Sequence, residues 1–302
     1  NQWNTVNPSR VVMVDLNGDG TDELVAAFPE YGLYTYDSEY GWQRINTEIP
    51  EVMVSFRNGI ACDFGPEYGL YLWDRIGDWQ RINTVDPAIV ISADVDEDGE
   101  DELIAGFTGY GLYYYDDPGL WTSTPINTAI PDAMVRYGNG VVCDYGATLG
   151  LMSYNHAGGW VEFNPEDPDR IVAVDIDNDG KDELVVSFVG YGLYVFEPED
   201  LIWQQPPINT VIPEAMIRLG YGIAADYGAA YGLWVWSQGE GWQQRNTADP
   251  GQMTAVDIDN DGVEELVVSF PGYGLWYYNE TNGWQFLNDV VPDDMRPIDL
   301  YP

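Results

Sequence analysis

The sequence predicts an all-β chain, a seven-bladed β-propeller of four-stranded antiparallel blades, on three observations. A Gly-Leu-aromatic segment recurs seven times along the 302 residues, and each copy is followed by a tryptophan. These tryptophans, Trp42, Trp79, Trp121, Trp160, Trp203, Trp242 and Trp284, lie 37, 42, 39, 43, 39 and 42 residues apart, the period of a unit holding four strands. Glycine (33) and proline (19) are abundant and aromatics reach 14%, a composition suited to short strands joined by tight turns. Apolar residues make up 45%, enough to build a core.

In chain order the blades span about 10–47, 51–84, 88–128, 132–164, 168–210, 214–247 and 251–288. Their Gly-Leu strands read YGLYTYD (31–37), YGLYLWD (68–74), YGLYYYD (110–116), LGLMSYN (149–155), YGLYVFE (191–197), YGLWVWS (231–237) and YGLWYYN (273–279). Alternation along these runs and the glycines between them favour strand over helix, and no stretch carries helical periodicity. The third blade shows the pattern, with strands at 89–95, 102–107 and 111–116 and a fourth from Trp121. Ile-Asn-Thr follows the tryptophan at 45–47, 82–84, 126–128 and 208–210. Odd blades carry an acidic loop between their first and second strands. Even blades place a glycine turn there, Arg57-Asn58-Gly59, Gly138-Asn139-Gly140 and Gly220-Tyr221-Gly222. An odd number of blades cannot alternate around a closed ring, so the first and last blades, both acidic, are expected to be neighbours.

The charge narrows the partners. Asp and Glu number 51 against 11 Lys and Arg, a formal net charge of −40, and Lys181 is the one lysine. Such a surface repels phosphate backbones and anionic lipid, which argues against nucleic-acid and membrane-surface binding. No apolar run approaches the roughly 20 residues of a membrane span. The chain opens at Asn1 without the charged and apolar regions of a signal peptide, so a cytoplasmic or an already processed protein is expected.

The four acidic loops read DLNGDGTDE (15–23), DVDEDGEDE (94–102), DIDNDGKDE (175–183) and DIDNDGVEE (257–265). Oxygen-bearing side chains stand at loop positions 1, 3, 5 and 9, with glycine at 6. Alternate positions turn inward as the backbone curls, and glycine permits the sharp turn that closes the curl. Hard cations take about six to eight oxygens. Carboxylates with a backbone carbonyl at position 7 suit calcium better than magnesium, and zinc is disfavoured without Cys or His. An EF-hand loop begins similarly but needs Glu at position 12, where this chain has Ala26, Ala105, Val186 and Val268. Without a cation such close carboxylates repel, so calcium is expected to fold or stiffen the odd blades.

The pattern D-x-[DN]-x-D-G-x-x-[DE] before an apolar strand resembles the FG-GAP/VCBS class of calcium-loop propeller repeats, found in integrin α-subunit heads and many secreted bacterial proteins. The resemblance is specific at the four loops and extends by the blade period over essentially the whole chain. It implies four Ca2+ sites with ligands Asp15, Asn17, Asp19 and Glu23; Asp94, Asp96, Asp98 and Glu102; Asp175, Asp177, Asp179 and Glu183; and Asp257, Asp259, Asp261 and Glu265. Thr21, Glu100, Lys181 and Val263 are implied as backbone-carbonyl ligands only. Glutamate at position 9 departs from the family's more usual aspartate.

No enzyme is expected. The sole histidine, His156, falls in a turn and is expected to be exposed. Cys62 and Cys143 hold equivalent places in the second and fourth blades, with Ala225 in the sixth. Two blades apart is too far to bridge, so two free, buried thiols are predicted. Asp63-Phe64-Gly65 recurs as Asp144-Tyr145-Gly146 and Asp226-Tyr227-Gly228, which makes it a strand-end feature of the repeat. Aromatics recurring once per blade predict inter-blade packing, while exposed members could stack on sugars.

The ends carry fragments of a further blade. Gln2-Trp3-Asn4-Thr5 copies the outer-strand pattern of 242–247, although the last blade has its own candidate outer strand at 284–288. Pro292-Asp293-Asp294-Met295 mirrors Pro213-Glu214-Ala215-Met216. Segments 1–9 and 289–302 therefore either close the ring or add to a neighbouring molecule, head to tail. The expected function is that of a secreted or cell-surface, non-enzymatic, calcium-stabilised structural protein that assembles with itself, as in a fibre. The alternative is a calcium-dependent, carbohydrate-binding lectin with an extracellular glycan or protein as partner.

Overall fold

The computed structural model describes residues 6–37, 40–76, 78–116, 119–197, 201–258, 261–292 and 295. The chain is a seven-bladed β-propeller, each blade a four-stranded antiparallel sheet whose strands pair in sequence order. Blade one is Arg10–Val14, Glu23–Phe28, Gly32–Asp37 and Gly41–Asn46, and blade two is Val52–Phe56, Gly59–Asp63, Leu70–Asp74 and Gln80–Asn83. Blade three is Pro87–Ala93, Glu102–Phe107, Gly111–Asp116 and Leu120–Trp121; blade four is Ala133–Arg136, Val141–Asp144, Leu151–Asn155 and Gly159–Asn164. Blade five is Pro168–Val174, Glu183–Phe188, Gly192–Glu197 and Ile202–Trp203; blade six is Ala215–Leu219, Gly222–Asp226, Leu233–Ser237 and Gly241–Asn246. Blade seven is Gln252–Val256, Glu265–Phe270, Gly274–Asn279 and Gly283–Asn288. Two one-turn helices, Gly146–Leu149 and Gly228–Tyr231, follow the second strands of blades four and six. They are too short to leave a helical period in the sequence. No helix among the described residues is long and apolar enough to cross a membrane.

Three repeated contacts explain the repeated residues. The glycine of each Gly-Leu strand has positive φ, between 67° and 115°. A Cβ there would stand within 2.5 Å of the carbonyl oxygen of the outer-strand asparagine, Asn46 for Gly32 through Asn288 for Gly274. Only glycine meets both demands. That asparagine then turns the chain toward the next blade: its Oδ1 accepts the N–H two residues on, from Glu48, Val85, Ala129, Glu166, Val211, Ala248 and Val290. This Asx turn is the reason for asparagine at the end of every outer strand.

The tryptophans join blade to blade. Trp79, Trp121, Trp160, Trp203, Trp242 and Trp284 donate Nε1–H to the carbonyls of Ile45, Ile82, Ile126, Phe163, Ile208 and Arg245, each on the preceding blade, at 2.7–3.0 Å. Every blade also sets its tryptophan edge-on to the aromatic closing its second strand, from Phe28–Trp42 to Phe270–Trp284, with centroids 5.1–5.7 Å apart. A buried indole N–H needs a partner and an edge-to-face pair adds to its area burial.

The described residues group into two compact units, one running through Tyr145 with Ser153–Trp160, the other built on Gly146–Met152 with Val161 onward. In the first, Val14, Val25, Leu33, Met53, Ile60 and Cys62 form one apolar cluster, and Phe56, Leu70, Val90, Leu103 and Phe107 another. In the second, Val174, Val185, Val195, Ile223 and Trp236 pack together, as do Ala224, Leu233, Met253, Leu266 and Val268. Each cluster draws on the facing sheets of consecutive blades. Cys62 and Cys143 are free and buried, and burial raises both thiol pKa values, which disfavours the reactive thiolate.

Candidate cation-binding loops

The acidic loops join the first and second strands of blades one, three, five and seven. Each is wound around its first aspartate. Asp15 accepts N–H bonds from Gly18 and Asp19 on Oδ1 and from Gly20 on Oδ2. Asp94 takes Glu97 and Gly99, Asp175 takes Asp179 and Gly180, and Asp257 takes Asp261 and Gly262. Burial pushes Asp15 up, but the N–H groups of Gly20, Gly18, Asp19 and Asn17 together outweigh it and hold the carboxyl below its ordinary value. The position-6 glycines, Gly20, Gly99, Gly180 and Gly262, have φ of 84–90°. A Cβ there would touch nothing, so backbone conformation rather than crowding selects glycine.

The position-9 glutamate locks the curl shut. Its Oε2 accepts the N–H of loop position 2: Leu16 to Glu23, Val95 to Glu102, Ile176 to Glu183 and Ile258 to Glu265, at 2.7–2.8 Å. All four glutamates are buried, Glu102 completely, at 0% exposure. The longer arm at position 9 thus spans from the second strand to the loop backbone with one oxygen and leaves the other facing the loop. In blade three that oxygen, Glu102 Oε1, is buried without any hydrogen-bond partner. Burial, and then the charges of Asp96, Asp116 and Asp98, raise Glu102 to about 7 against the pull of the Val95 N–H. Burial likewise raises Glu183 to about 7, with Glu197, Asp177 and Asp175 adding to it.

Positions 1, 3 and 9 converge. The ligand oxygens of Asp94, Asp96 and Glu102, and those of Asp175, Asp177 and Glu183, all lie within 4.8 Å of one another. Asp98 and Asp179 at position 5 stand outside those clusters and cap the N–H of Glu100 and Lys181, as Asp19 and Asp261 cap Thr21 and Val263. Blade one differs. Asn17 donates its amide to Glu23 Oε1 at 2.6 Å, and Arg75 stands 3.8 Å from the same oxygen. Protein donors there occupy the oxygen that blade three leaves bare. In blade seven, Asp259 lies outside the described residues.

Orphaned buried oxygen, clustered carboxylates and no Cys or His form a donor set suited to a hard divalent cation. Arg57 and Arg136 brace the rim of the blade-three loop, at 3.3 Å from Glu100 and 3.0 Å from Asp101. His156 sits against the same loop: its N–H donates to the Val95 carbonyl at 2.7 Å, and its Nδ1 lies 2.9 Å from the Tyr114 hydroxyl. The histidine is exposed, and these contacts fix the turn to the loop.

Two further acidic clusters lie in even blades, Glu51, Asp63 and Asp86 in one and Glu214, Asp226 and Asp249 in the other. Asp63 and Asp226 are buried, at 2% and 6% exposure, and each accepts the N–H of the glycine two residues on, Gly65 or Gly228. Burial raises both to about 6, reinforced by Asp86 and Glu51 in one and Asp249 and Glu214 in the other. The repeated Asp-aromatic-Gly tripeptide was their one visible signal; the two acids completing each cluster come from distant turns.

No family model matches the chain, and no curated protein matches it. Solved structures do. The Dos1 propeller superposes with a TM-score of 0.61 at 11% identity, covering 96% of this chain and 86% of that one. The AfRom2 CNH domain gives 0.52 at 10% identity over 94% and 95%, and BBS1N, solved in complex with ARL6DN, gives 0.51 at 12% over 88% and 89%. Likeness at this identity shows the propeller fold.

Proposed function

We propose that the chain is a non-enzymatic, calcium-stabilised propeller of the FG-GAP/VCBS type, working outside the cell or on its surface as a structural subunit that assembles with itself. The observation that carries the calcium reading is Glu102: a carboxylate with no solvent exposure, one oxygen unpartnered, and two aspartates converging on it. A cation held there by Asp94, Asp96 and Glu102, and by the corresponding residues of the other loops, would neutralise charge that the fold otherwise concentrates. Calcium modules that work outside cells bind at about 10⁻⁴–10⁻³ M, and loops of that affinity would be filled only at extracellular calcium, in line with the extracellular placement. The test is thermal melting in calcium and in EDTA. Calcium should raise Tm by 10 °C or more, of the order expected for several sites each contributing RT ln(1 + [L]/Kd); equal Tm values would sink the calcium reading.

Blade seven supports self-assembly. Its outer strand, Gly283–Asn288, is paired through its own chain with Gly274–Asn279 and ends its sheet. Phe286 and Leu287 on this strand are 53% and 43% exposed, and Val290 follows at 65%. Blade six carries Gln244 and Arg245 at the corresponding places. An apolar edge strand is a template for strand addition. The terminal copies at 2–5 and 292–295, of which only Pro292 and Met295 lie within the described residues, would then serve a neighbouring molecule. Removing residues 289–302 should leave monomers under negative-stain microscopy; long polymers in that variant would overturn tail-mediated assembly.

A further inference from the structure

Blades three and five depart from the others in the same way. From the blade tryptophan to the outer asparagine is six residues in Trp121–Asn127 and Trp203–Asn209, but four in the remaining five blades. The two-residue insertion breaks the outer strand. It shortens to Leu120–Trp121 in one blade and Ile202–Trp203 in the other, and the chain returns only at single bridges, Leu112 to Asn127 and Leu193 to Asn209. A cleft opens at each insertion, of about 180 Å³ in blade three and about 270 Å³ in blade five.

The two clefts are built from equivalent residues. Phe107, Tyr110, Tyr113 and Trp121 wall one; Phe188, Tyr191, Tyr194 and Trp203 wall the other. Tyr110 and Tyr191 stand 61% and 56% exposed at the mouths. Each cleft also receives the outer asparagine of the preceding blade, Asn83 or Asn164. The Oδ1 of that asparagine is used in its Asx turn, and its Nδ2 has no hydrogen-bond acceptor among the described residues. Blade six shows how the protein can fill this place: Asn209 Nδ2 donates to the Tyr227 hydroxyl at 2.8 Å. Phe107 and Phe188 stand there in blades three and five, as phenylalanine does in blades one, two and seven, so the tyrosine hydroxyl that takes the amide in blade six is missing, and in blades three and five the insertion leaves that place open. Thr122, whose hydroxyl has no partner, lines the first cleft, and Glu166 and Gln205 line the second.

We propose that the clefts of blades three and five are twin binding sites for one uncharged pyranose ring each of a glycan. A pyranose presents an apolar C–H face to aromatic rings and hydroxyl oxygens to an N–H donor, and rigid tyrosines give contact area at little entropic cost. Both volumes fall below the roughly 300–1,000 Å³ of pockets that enclose a drug-sized ligand, which suits a single ring with the rest of the glycan in solvent. The net charge of −40 disfavours anionic sugars. Loop and cleft sit at opposite ends of the same second strand, Glu102–Phe107 or Glu183–Phe188, roughly 17 Å apart at about 3.4 Å per residue. The sugar is therefore held by aromatic rings and an amide rather than by the loop ligands, and this inference stands independently of the calcium reading.

The test uses the full chain in calcium against an array of methyl glycosides of neutral hexoses, 6-deoxyhexoses and N-acetylhexosamines, followed by titration calorimetry with the best of them. Two sites per chain are expected. Y110A and Y191A should each remove one, and the double variant should weaken binding at least tenfold with its melting curve unchanged. Saturation transfer from protein aromatic protons to the ring C–H protons of the bound glycoside is expected in the unmutated chain. The proposal fails if no neutral glycoside binds, if the double variant binds as well as the parent, or if saturation transfer is absent. It also fails if a proline-rich peptide occupies the clefts in place of any glycoside.

Discussion

Glu102 states the electrostatic problem of the loops in a single side chain. It has to be buried because it closes the curl through the Val95 N–H, and its second oxygen then faces aspartates with no donor in reach. Protonation is one way to relieve this and a cation is the other. Glu102 and Glu183, at about 7, and Asp63 and Asp226, at about 6, all lie above their unfolded values. The metal-free fold therefore binds more protons than the unfolded chain between those values and about pH 4, and its stability falls as pH rises through 6 and 7. In EDTA, Tm should be higher at pH 5 than at pH 8. Calcium needs the carboxylates ionised, so in calcium the order should reverse. A metal-free Tm that climbs with pH would contradict these shifts. Glu102→Gln removes the charge but keeps the shape, and should take away one calcium site while leaving the EDTA melting curve unchanged or higher. The sequence showed positions 1, 3, 5 and 9 as oxygens; it did not show that one oxygen of position 5 caps the N–H of Glu100 or Lys181. Which lone pair a backbone N–H takes depends on the folded curl.

At the scale of the blade, the repeat was legible because each repeated residue answers one local requirement. Gly32 and its six counterparts are forced by φ and by the carbonyl pressed against them; Asn46 and its counterparts are forced by the Asx turn. Glycine-to-alanine at Gly192, φ 115°, should cost about 2 kcal/mol or more in urea unfolding, since both strain and overlap penalise it. Trp160→Phe keeps most of the ring but loses the bond to the Ile126 carbonyl, and should cost about 1–2 kcal/mol. A loss below about 0.5 kcal/mol would mean that the indole N–H does not join the blades. The clefts of blades three and five were present in the sequence as a six-residue rather than four-residue spacing. Only the broken outer strand shows that two residues can open a pocket. Of the even-blade carboxylate clusters only the repeated Asp-aromatic-Gly tripeptide was legible, because Glu51, Asp63 and Asp86 meet through strand pairing and a blade-to-blade turn.

For the whole molecule, seven copies of a four-strand unit predicted the architecture correctly, and the solved Dos1 propeller that superposes on the chain shares the propeller fold. Alternating acidic and glycine turns give the ring two kinds of blade, and the acidic kind is the one proposed to hold a cation. The loops are not equal. Blade one has Asn17 at position 3 and Arg75 beside Glu23, so it should bind most weakly. Titration calorimetry of the EDTA-stripped chain with calcium, followed through to millimolar concentrations, is the direct measurement. Saturation near four ions per chain is predicted, the weakest lost on changing blade one alone. A flat titration, with no heat and no proton release at pH 7, would contradict the claim that divalent cations hold these blades.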